Sequence, residues 1–476
     1  MDTRMTRAAA EVAAPPLSDS ALGSLREAFR GDLIRPGDEA YEEARRVWNA
    51  VFDRRPAIVA RCSGTADVVA AVRFARAQGL EISVRGGGHS VAGHGTVNNG
   101  LVIDLSPMRG VRVDPDARRA WVQGGALLGQ LDHETALHGL AVTAGAVSHT
   151  GVGGLTLGGG YGYLARTHGL ACDNLASAEV VTPAGEVLTT SESRDPDLFW
   201  GLRGGGGNFG IVTGFEFRLH PAAAIVGFGD LFFDPADGLD PLRAFRDFAT
   251  EMPEAMTITA AALAVRKEWE MKELEVGAPV VIVSWVYLGS QDDGRRIAAP
   301  LYAAGRPRLE VAEEMPYLRL QRYSDVSARH GLRRYWKGSF ATHLSDAGLE
   351  AFIACGTRPG DPAPLWGGEL ISLGGAISTV GEDDTAYSGR DAVFDFLSLS
   401  TWEDPAEDDA RLAGARHYWE TMTPFTSPRA YVNSLEDEGT ASVRDAYGAS
   451  KYDRLVALKR KYDPENVFHL NQNIRL

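Results

Sequence analysis

The chain has 476 residues, 44% hydrophobic and 23% charged, the profile of an ordinary globular protein with room for two or three domains. Its formal net charge of −15 argues against a general nucleic-acid role, and no apolar run is long enough to span a bilayer. Three cysteines, Cys62, Cys172 and Cys355, lie far apart and form neither a disulfide framework nor a zinc pattern, so a reducing, cytoplasmic location is expected and no metal centre.

Residues 1–20 mix Ala and Pro with both charge signs and lack the apolar core of a secretory signal, which predicts a loose tail. A short apolar strand is predicted at 57–62. Gly64-Thr65-Ala66-Asp67 then starts a helix with Val68, Val69, Val72 and Ala75 on one face and Gly79 past its end. A strand at 81–84 leads into Arg85-Gly86-Gly87-Gly88-His89-Ser90. Another strand follows at 101–105, then a hairpin of 111–113 with 120–123 around Asp114-Pro115-Asp116, and a helix over 127–138 closed by Gly139. A second glycine-dense segment fills 151–162. Strands at 179–182 and 186–189 pair around Pro183-Ala184-Gly185. A third glycine run, 204–210 around Asn208, precedes a strand at 215–219 that Pro221 stops. Hairpins outnumber crossovers, so the fold class expected is α+β and not a repeated βαβ winding.

From 222 to 424 glycine thins out and tryptophan, tyrosine and charged residues become denser. Strands are expected at 280–287, 368–377 and 393–401, and loops at Met252-Pro253, Arg306-Pro307 and 361–364. This reads as a second domain whose sheet covers one side of a cofactor. An amphipathic helix at 452–463 ends before Pro464 and leads into 466–474, which returns to the first domain.

Glycine runs let backbone N–H groups approach a ligand closely, because no Cβ intervenes. Three of them in one region point to a large anionic cofactor. None carries the lysine of a P-loop. The run at 151–160 has glycines at Rossmann-like spacings but too many of them to open a helix cleanly. His89 directly follows three glycines, which lets its imidazole meet something flat at close range.

These motifs, with Gly151-Val-Gly-Gly154, Gly158-Gly-Gly-Tyr-Gly162, Cys172-Asp-Asn-Leu175, Arg203-Gly-Gly-Gly-Gly-Asn208-Phe-Gly-Ile-Val212 and Asn471-Gln-Asn473-Ile474, resemble the vanillyl-alcohol-oxidase/PCMH superfamily. Within it the chain looks most like the berberine-bridge-enzyme-like FAD-linked oxidases, in their bacterial branch. The resemblance implies a two-subdomain PCMH-type FAD-binding domain over 21–221 and a substrate-binding domain over 222–424 with a large antiparallel sheet flanked by helices. It implies too a C-terminal segment, 425–476, that returns to the FAD domain. FAD would be covalently bound through the His89 imidazole to the 8α-methyl, which is acidic enough to tautomerise into an electrophile for a neutral imidazole. Arg85, Gly86, Gly87, Gly88 and Ser90, with Gly151, Gly153 and Gly154, would cradle the pyrophosphate by N–H donors. Gly210, Ile211 and Val212 would hold the adenine end. Further cofactor contacts are implied at Thr150, Gly158, Gly159, Asp173, Asn174, Tyr431, Asn433, Asn471 and Asn473. Relatives that attach the flavin a second time use a cysteine where this chain has Val147, so a single link is expected. Cys172 is expected to be a buried core thiol.

Such an enzyme removes a hydride while a base takes a proton. The tyrosine that many relatives use is replaced here by Ser434 in Tyr431-Val432-Asn433-Ser434. His149 and Tyr161 are the candidate catalytic residues, and Glu369 is expected to point outward on its strand. The implied reaction oxidises an alcohol or amine carbon of a small molecule, with dioxygen as acceptor. Another acceptor, or a flavin-binding protein without turnover, stands as the alternative. Thr150 occupies the position that gates oxygen access. The aromatics Trp336, Trp366, Tyr387 and Trp402 are compatible with a sugar, an alkaloid or a polyketide. A monomer or homodimer is expected, with no nucleic-acid or membrane partner.

Overall fold

A computed structural model describes residues 17–357 and 366–476. The expected tail falls mostly on residues 1–16 and the loop expected at 361–364 falls wholly on 358–365, both outside the described residues. Order begins before residue 20: the helix Asp19–Ala28 starts on Ser18, whose hydroxyl accepts from the Ala21 N–H at 3.2 Å.

Three parallel strands, Ile58–Arg61, Leu101–Asp104 and Ile82–Arg85, form a first sheet with Asp32–Ile34 antiparallel at its edge. Their residues are nearly all buried, the pattern of a parallel sheet covered on both faces. The helix Thr65–Gln78 makes the crossover, and Gly79, left-handed at φ 64°, closes it by donating to the Ala75 and Arg76 carbonyls. A second, antiparallel sheet runs Val111–Asp114, Arg119–Gln123, Ile211–Arg218, Leu175–Val181, Val187–Ser191. The hairpin expected around Asp114-Pro115-Asp116 is the first pair of this sheet.

The third sheet has seven antiparallel strands in the order Leu309–Pro316, Ile225–Phe233, Pro279–Tyr287, Met256–Ala264, Gly367–Ser372, Phe394–Trp402, Arg333–Ala341. One face packs Leu231, Phe233, Ile258, Ala260, Val283, Leu370 and Phe396 against the helices Leu239–Phe248, Asp346–Gly356 and Asp408–Met422. The alternate residues of the same strands form the other face, which looks toward the glycine loops. The fold is therefore α+β with a large antiparallel sheet flanked by helices. No helix among the described residues is long and apolar enough to cross a membrane.

The C-terminal segment shares a core with the second sheet: Val443, Tyr452, Leu455, Leu458 and Ile474 pack with Phe199, Phe209 and Phe215. Lys459, fully buried on the helix Ala449–Tyr462, pairs with Asp463 at 2.7 Å and donates to the carbonyls of Asn208 and Phe468 at 2.8 and 2.9 Å. That network ties the last turn of the helix to the third glycine run.

Two expectations need correction. The run after Gly151 does form a helix, Val152–Leu157. Glycine costs about 1 kcal/mol per helical position relative to alanine, and here the burial of Val152 and Leu157 in the core offsets it. The strand expected over 368–377 ends at Ser372. Gly374 and Gly375 take φ of 84° and 56°, and a Cβ on Gly375 would stand 2.4 Å from the Arg166 carbonyl oxygen, so the chain turns there into the helix Ala376–Thr379.

Candidate active site

Between the glycine loops and the free face of the seven-stranded sheet lies a cavity of about 930 Å³. The loop side is made of backbone. Gly87 and Gly151 meet so closely that a Cβ on either would stand 2.3 Å from the other's amide nitrogen. Gly154 and Gly207, also on the wall, have nothing within 4 Å of where a Cβ would be, so there the wall recedes and leaves an open cradle. Asn471 reaches the same wall with its Oδ1 buried and unpartnered among the described residues. A bare cradle of N–H groups with spare acceptors suits a dinucleotide such as FAD.

His89 stands at this wall. Its ring stacks on Trp48 at 4.6 Å and 15°, and the Arg334 guanidinium lies 3.8 Å from the Trp48 ring centre. Nε2 of His89 is 2.7 Å from Nδ1 of His149, and Nδ1 of His89 is 3.2 Å from the Thr150 hydroxyl. Burial, then the neighbouring His149, His330 and Arg334, pushes the His89 pKa well below the ordinary histidine range. The ring is neutral at physiological pH, as a nucleophile must be. His89, His149 and His330 bring one ring nitrogen each within 4.8 Å of one another.

The opposite wall is made of side chains on alternate strand positions. Asp230, Ser284, Thr259 and Ile371 stand opposite one another from strand to strand and line the cavity; Asp395, next in the same register, is buried against Tyr161 and does not line it. Asp395 is fully buried and accepts a hydrogen bond from the Tyr161 hydroxyl at 2.5 Å. Burial raises its pKa to about 7, with Glu369 adding to the rise and the Tyr161 bond opposing it. Burial also raises Tyr161 well above the ordinary phenol range. Tyr161 packs on Tyr431 at 4.7 Å, and Tyr431 accepts from the Gly160 N–H and the Asn433 amide at 3.1 and 2.9 Å. Burial lifts Asp230 to about 6 and raises Glu369, which Arg266 opposes.

The structure sorts the expected site residues into two groups. Gly86, Gly87, Gly88, His89, Ser90, Thr150, Gly151, Gly153, Gly154, Tyr161, Gly210, Ile211, Val212, Tyr431, Asn433 and Asn471 all line the cavity. Arg85 lines it too, but its guanidinium pairs with buried Asp104 at 2.7 Å and donates to the Arg46 carbonyl, so it braces the loop. Five others do not line it. Gly158 and Gly159 pack against Asn433 and Tyr387 behind the wall. Asp173 forms a bidentate pair with Arg390 at 2.6 and 2.7 Å, in a buried position. Asn174 bridges the His168 and Leu170 carbonyls and His220. Asn473 is half-buried, with its Oδ1 buried and unpartnered among the described residues. These five hold the loops in shape and do not face the cavity. His149 also stands off the wall, turned to His89. Glu369 corrects the opposite way: it points into the cavity, not outward.

Sequence reasoning missed Trp48, Asp230 and Asp395. The last two had a signal, a lone acid in an apolar strand: Asp395 in Phe394-Asp395-Phe396-Leu397, and Asp230 within Ile225–Phe233. Trp48 had none.

The family model for an FAD binding domain matches residues 56–191, and that for berberine and berberine-like proteins matches 430–475. (R)-6-hydroxynicotine oxidase of Paenarthrobacter nicotinovorans is 31% identical over 474 residues, covering 94% of this chain and 97% of the relative. The crystal structure of 6-hydroxy-D-nicotine oxidase from Arthrobacter nicotinovorans superposes with a TM-score of 0.84 at 30% identity, over 94% of this chain and 98% of that one. A glucooligosaccharide oxidase from Acremonium strictum bearing 6-S-cysteinyl, 8α-N1-histidyl FAD superposes with a TM-score of 0.84 at 26% identity, over 96% and 100%.

Proposed function

The chain belongs to the berberine-bridge-like FAD-linked oxidoreductases, and from that premise we propose that it oxidises an alcohol or amine carbon of a small molecule, with FAD tethered through His89 alone and dioxygen as acceptor. The observation that carries the reading is the Tyr161–Asp395 pair. Tyr161 lines the cavity between the loops and the sheet face, with Asp395 buried behind it as its hydrogen-bond acceptor.

FAD, when bound, accepts the hydride. Gly86–Ser90 and Gly151–Gly154 would hold its pyrophosphate through backbone N–H groups, and His89 would hold its ring. Tyr161 cannot ionise alone at neutral pH, given its raised pKa. It can take the proton of a substrate O–H or N–H at its oxygen while passing its own proton to Oδ2 of Asp395. With a pKa of about 7, Asp395 is poised to receive that proton near neutrality. The pair thus takes the place of the tyrosine absent at Ser434. Asp230, Thr259, Ser284 and Glu369 offer polar groups to orient the substrate. Val147, on the cavity wall, has no nucleophile, and none of the three cysteines lines the cavity among the described residues, which supports a single link. Burial also pushes the Cys172 thiol well up, so it stays protonated.

The test is a panel of alcohols, sugars and amines scored by bleaching of the flavin without oxygen, followed by admission of air and assay for peroxide. Bleaching and peroxide together are expected. Bleaching that persists in air would replace dioxygen with another acceptor, and no bleaching across the panel would remove the proposed reaction.

A further inference from the structure

His149 was a candidate base for the substrate, yet its Nδ1 is 2.7 Å from Nε2 of His89 and it does not line the cavity. We propose that His149 is a positioning residue for flavin attachment: it holds Nε2 of His89, leaves Nδ1 as the nucleophilic atom, and takes the Nε2 proton when the bond to the 8α-carbon forms. This rests on the His89 attachment proposed above.

The argument begins with tautomers. A neutral imidazole carries one N–H, and only the bare nitrogen can attack carbon. A hydrogen bond between two ring nitrogens needs one donor and one acceptor. When His89 donates from Nε2 to Nδ1 of His149, the lone pair of His89 is fixed on Nδ1. The Thr150 hydroxyl, 3.2 Å from Nδ1, then marks the side from which that lone pair faces the loop wall. Stacking on Trp48 holds the ring plane, so the lone pair has one direction.

The attachment step balances as follows. The Nδ1–C8α bond forms, and one hydrogen of the methyl group and the imidazole hydrogen are lost. Two electrons pass to the flavin ring, and from there, with two protons, to dioxygen, which becomes hydrogen peroxide. As Nδ1 is alkylated, positive charge builds on the His89 ring, and release of the Nε2 proton to His149 removes it. His89 then accepts from an Nδ1–H of His149, so the hydrogen bond survives with its direction reversed. Nε2 of His149 is buried without a partner among the described residues. Before linkage it carries an orphan N–H; on taking the His89 proton at Nδ1, His149 holds two N–H groups and one positive charge, which it loses when one of these protons leaves as one of the two that go to the peroxide. His330, exposed at its surface, has its ring 5.1 Å from that of His149, and desolvation with His149 and Arg334 nearby lowers its pKa.

The test uses holoprotein purified soon after induction and kept in air, with covalent FAD followed by intact mass and by fluorescence of the denatured chain, and total bound FAD by absorbance. In His149→Ala, FAD is expected to bind in full but to link at least tenfold more slowly than in wild type. His149→Asn places an amide oxygen where Nδ1 was; it can still accept from Nε2 of His89 but cannot take its proton, and is expected to link faster than His149→Ala and slower than wild type. His149→Ala that links as fast as wild type would overturn the inference. Equal slowing in both variants would overturn it too, because loss of a packed ring would then explain the effect. A wild-type chain with bound but removable FAD would sink the attachment itself, a failure distinct from either of these.

Discussion

The two walls of the cavity are built by different means. The loop wall is backbone on backbone, with Gly87 and Gly151 admitting no Cβ between them. The sheet wall is side chains at alternate positions, with Asp230, Ser284, Thr259 and Ile371 aligned across four strands and Asp395 buried next to them on a fifth. A close backbone contact accepts one residue type, whereas a sheet face keeps its shape under many side chains. The loop wall therefore commits the chain to its cofactor, and the sheet wall is free to choose the substrate.

The largest effect that tests this contrast comes from Gly87→Ala. The added methyl would stand 2.3 Å from the Gly151 nitrogen, where nothing flexible can yield. A loss of roughly 3 kcal/mol or more is expected, with loss of bound FAD, read by thermal melting and flavin absorbance. A variant that melts like wild type and keeps its FAD would show that the loops do not depend on the contact. Asp173→Asn probes the scaffold behind the same wall. It leaves the buried Arg390 guanidinium unpaired and is expected to cost about 3–5 kcal/mol while bound FAD stays at one equivalent in the folded fraction. FAD loss at unchanged melting temperature would instead make Asp173 a cofactor ligand.

On the sheet wall, Asp395→Asn removes the proton acceptor and keeps its shape. A drop in kcat of about a hundredfold or more is expected, with little change in FAD content. The sign of the pH dependence follows from the raised pKa. The carboxylate accepts the proton and the acid does not, so kcat should be low below about 7 and rise as pH climbs through it. The asparagine variant should lose that limb. A limb that persists in Asp395→Asn assigns it to another group.

The same contrast explains what could be read from the sequence. The loop wall was legible because glycine at 86–88, 151, 153, 154 and 210 is a backbone requirement written directly in residue type. The helix Val152–Leu157 was not, because intrinsic propensity argues against it and tertiary burial of Val152 and Leu157 decides the matter. Asp173 and Asn174 were placed at the cofactor because their motif adjoins it, but their partners Arg390 and His220 are 217 and 46 residues away in the chain, and pairing over such distances leaves no local mark. The orientation of Glu369 depended on strand register, which a single strand does not reveal. Asp395 was inside an expected strand, and only its pairing with Tyr161, 234 residues away, turns a lone acid into part of a site.

The smallest effect is the most discriminating between the two acids of the sheet wall. Glu369 pairs with Leu397, two residues along the strand from Asp395, so the two carboxylates share a face and their charges repel. That repulsion contributes to the raised pKa of Asp395. Glu369→Gln removes the charge and retains the hydrogen-bonding shape, so Asp395 should ionise more readily. The rising limb of kcat should then move to lower pH, and kcat at pH 6 should increase modestly while its plateau stays within a few-fold of wild type. KM for a substrate that bonds to Glu369 should rise by about tenfold, the size of one charge-assisted hydrogen bond. Were Glu369 itself the proton acceptor, the same substitution would erase the limb and lower the plateau by about a hundredfold, as expected for Asp395→Asn. The direction in which one pH limb moves thus separates a residue that tunes the base from the base itself.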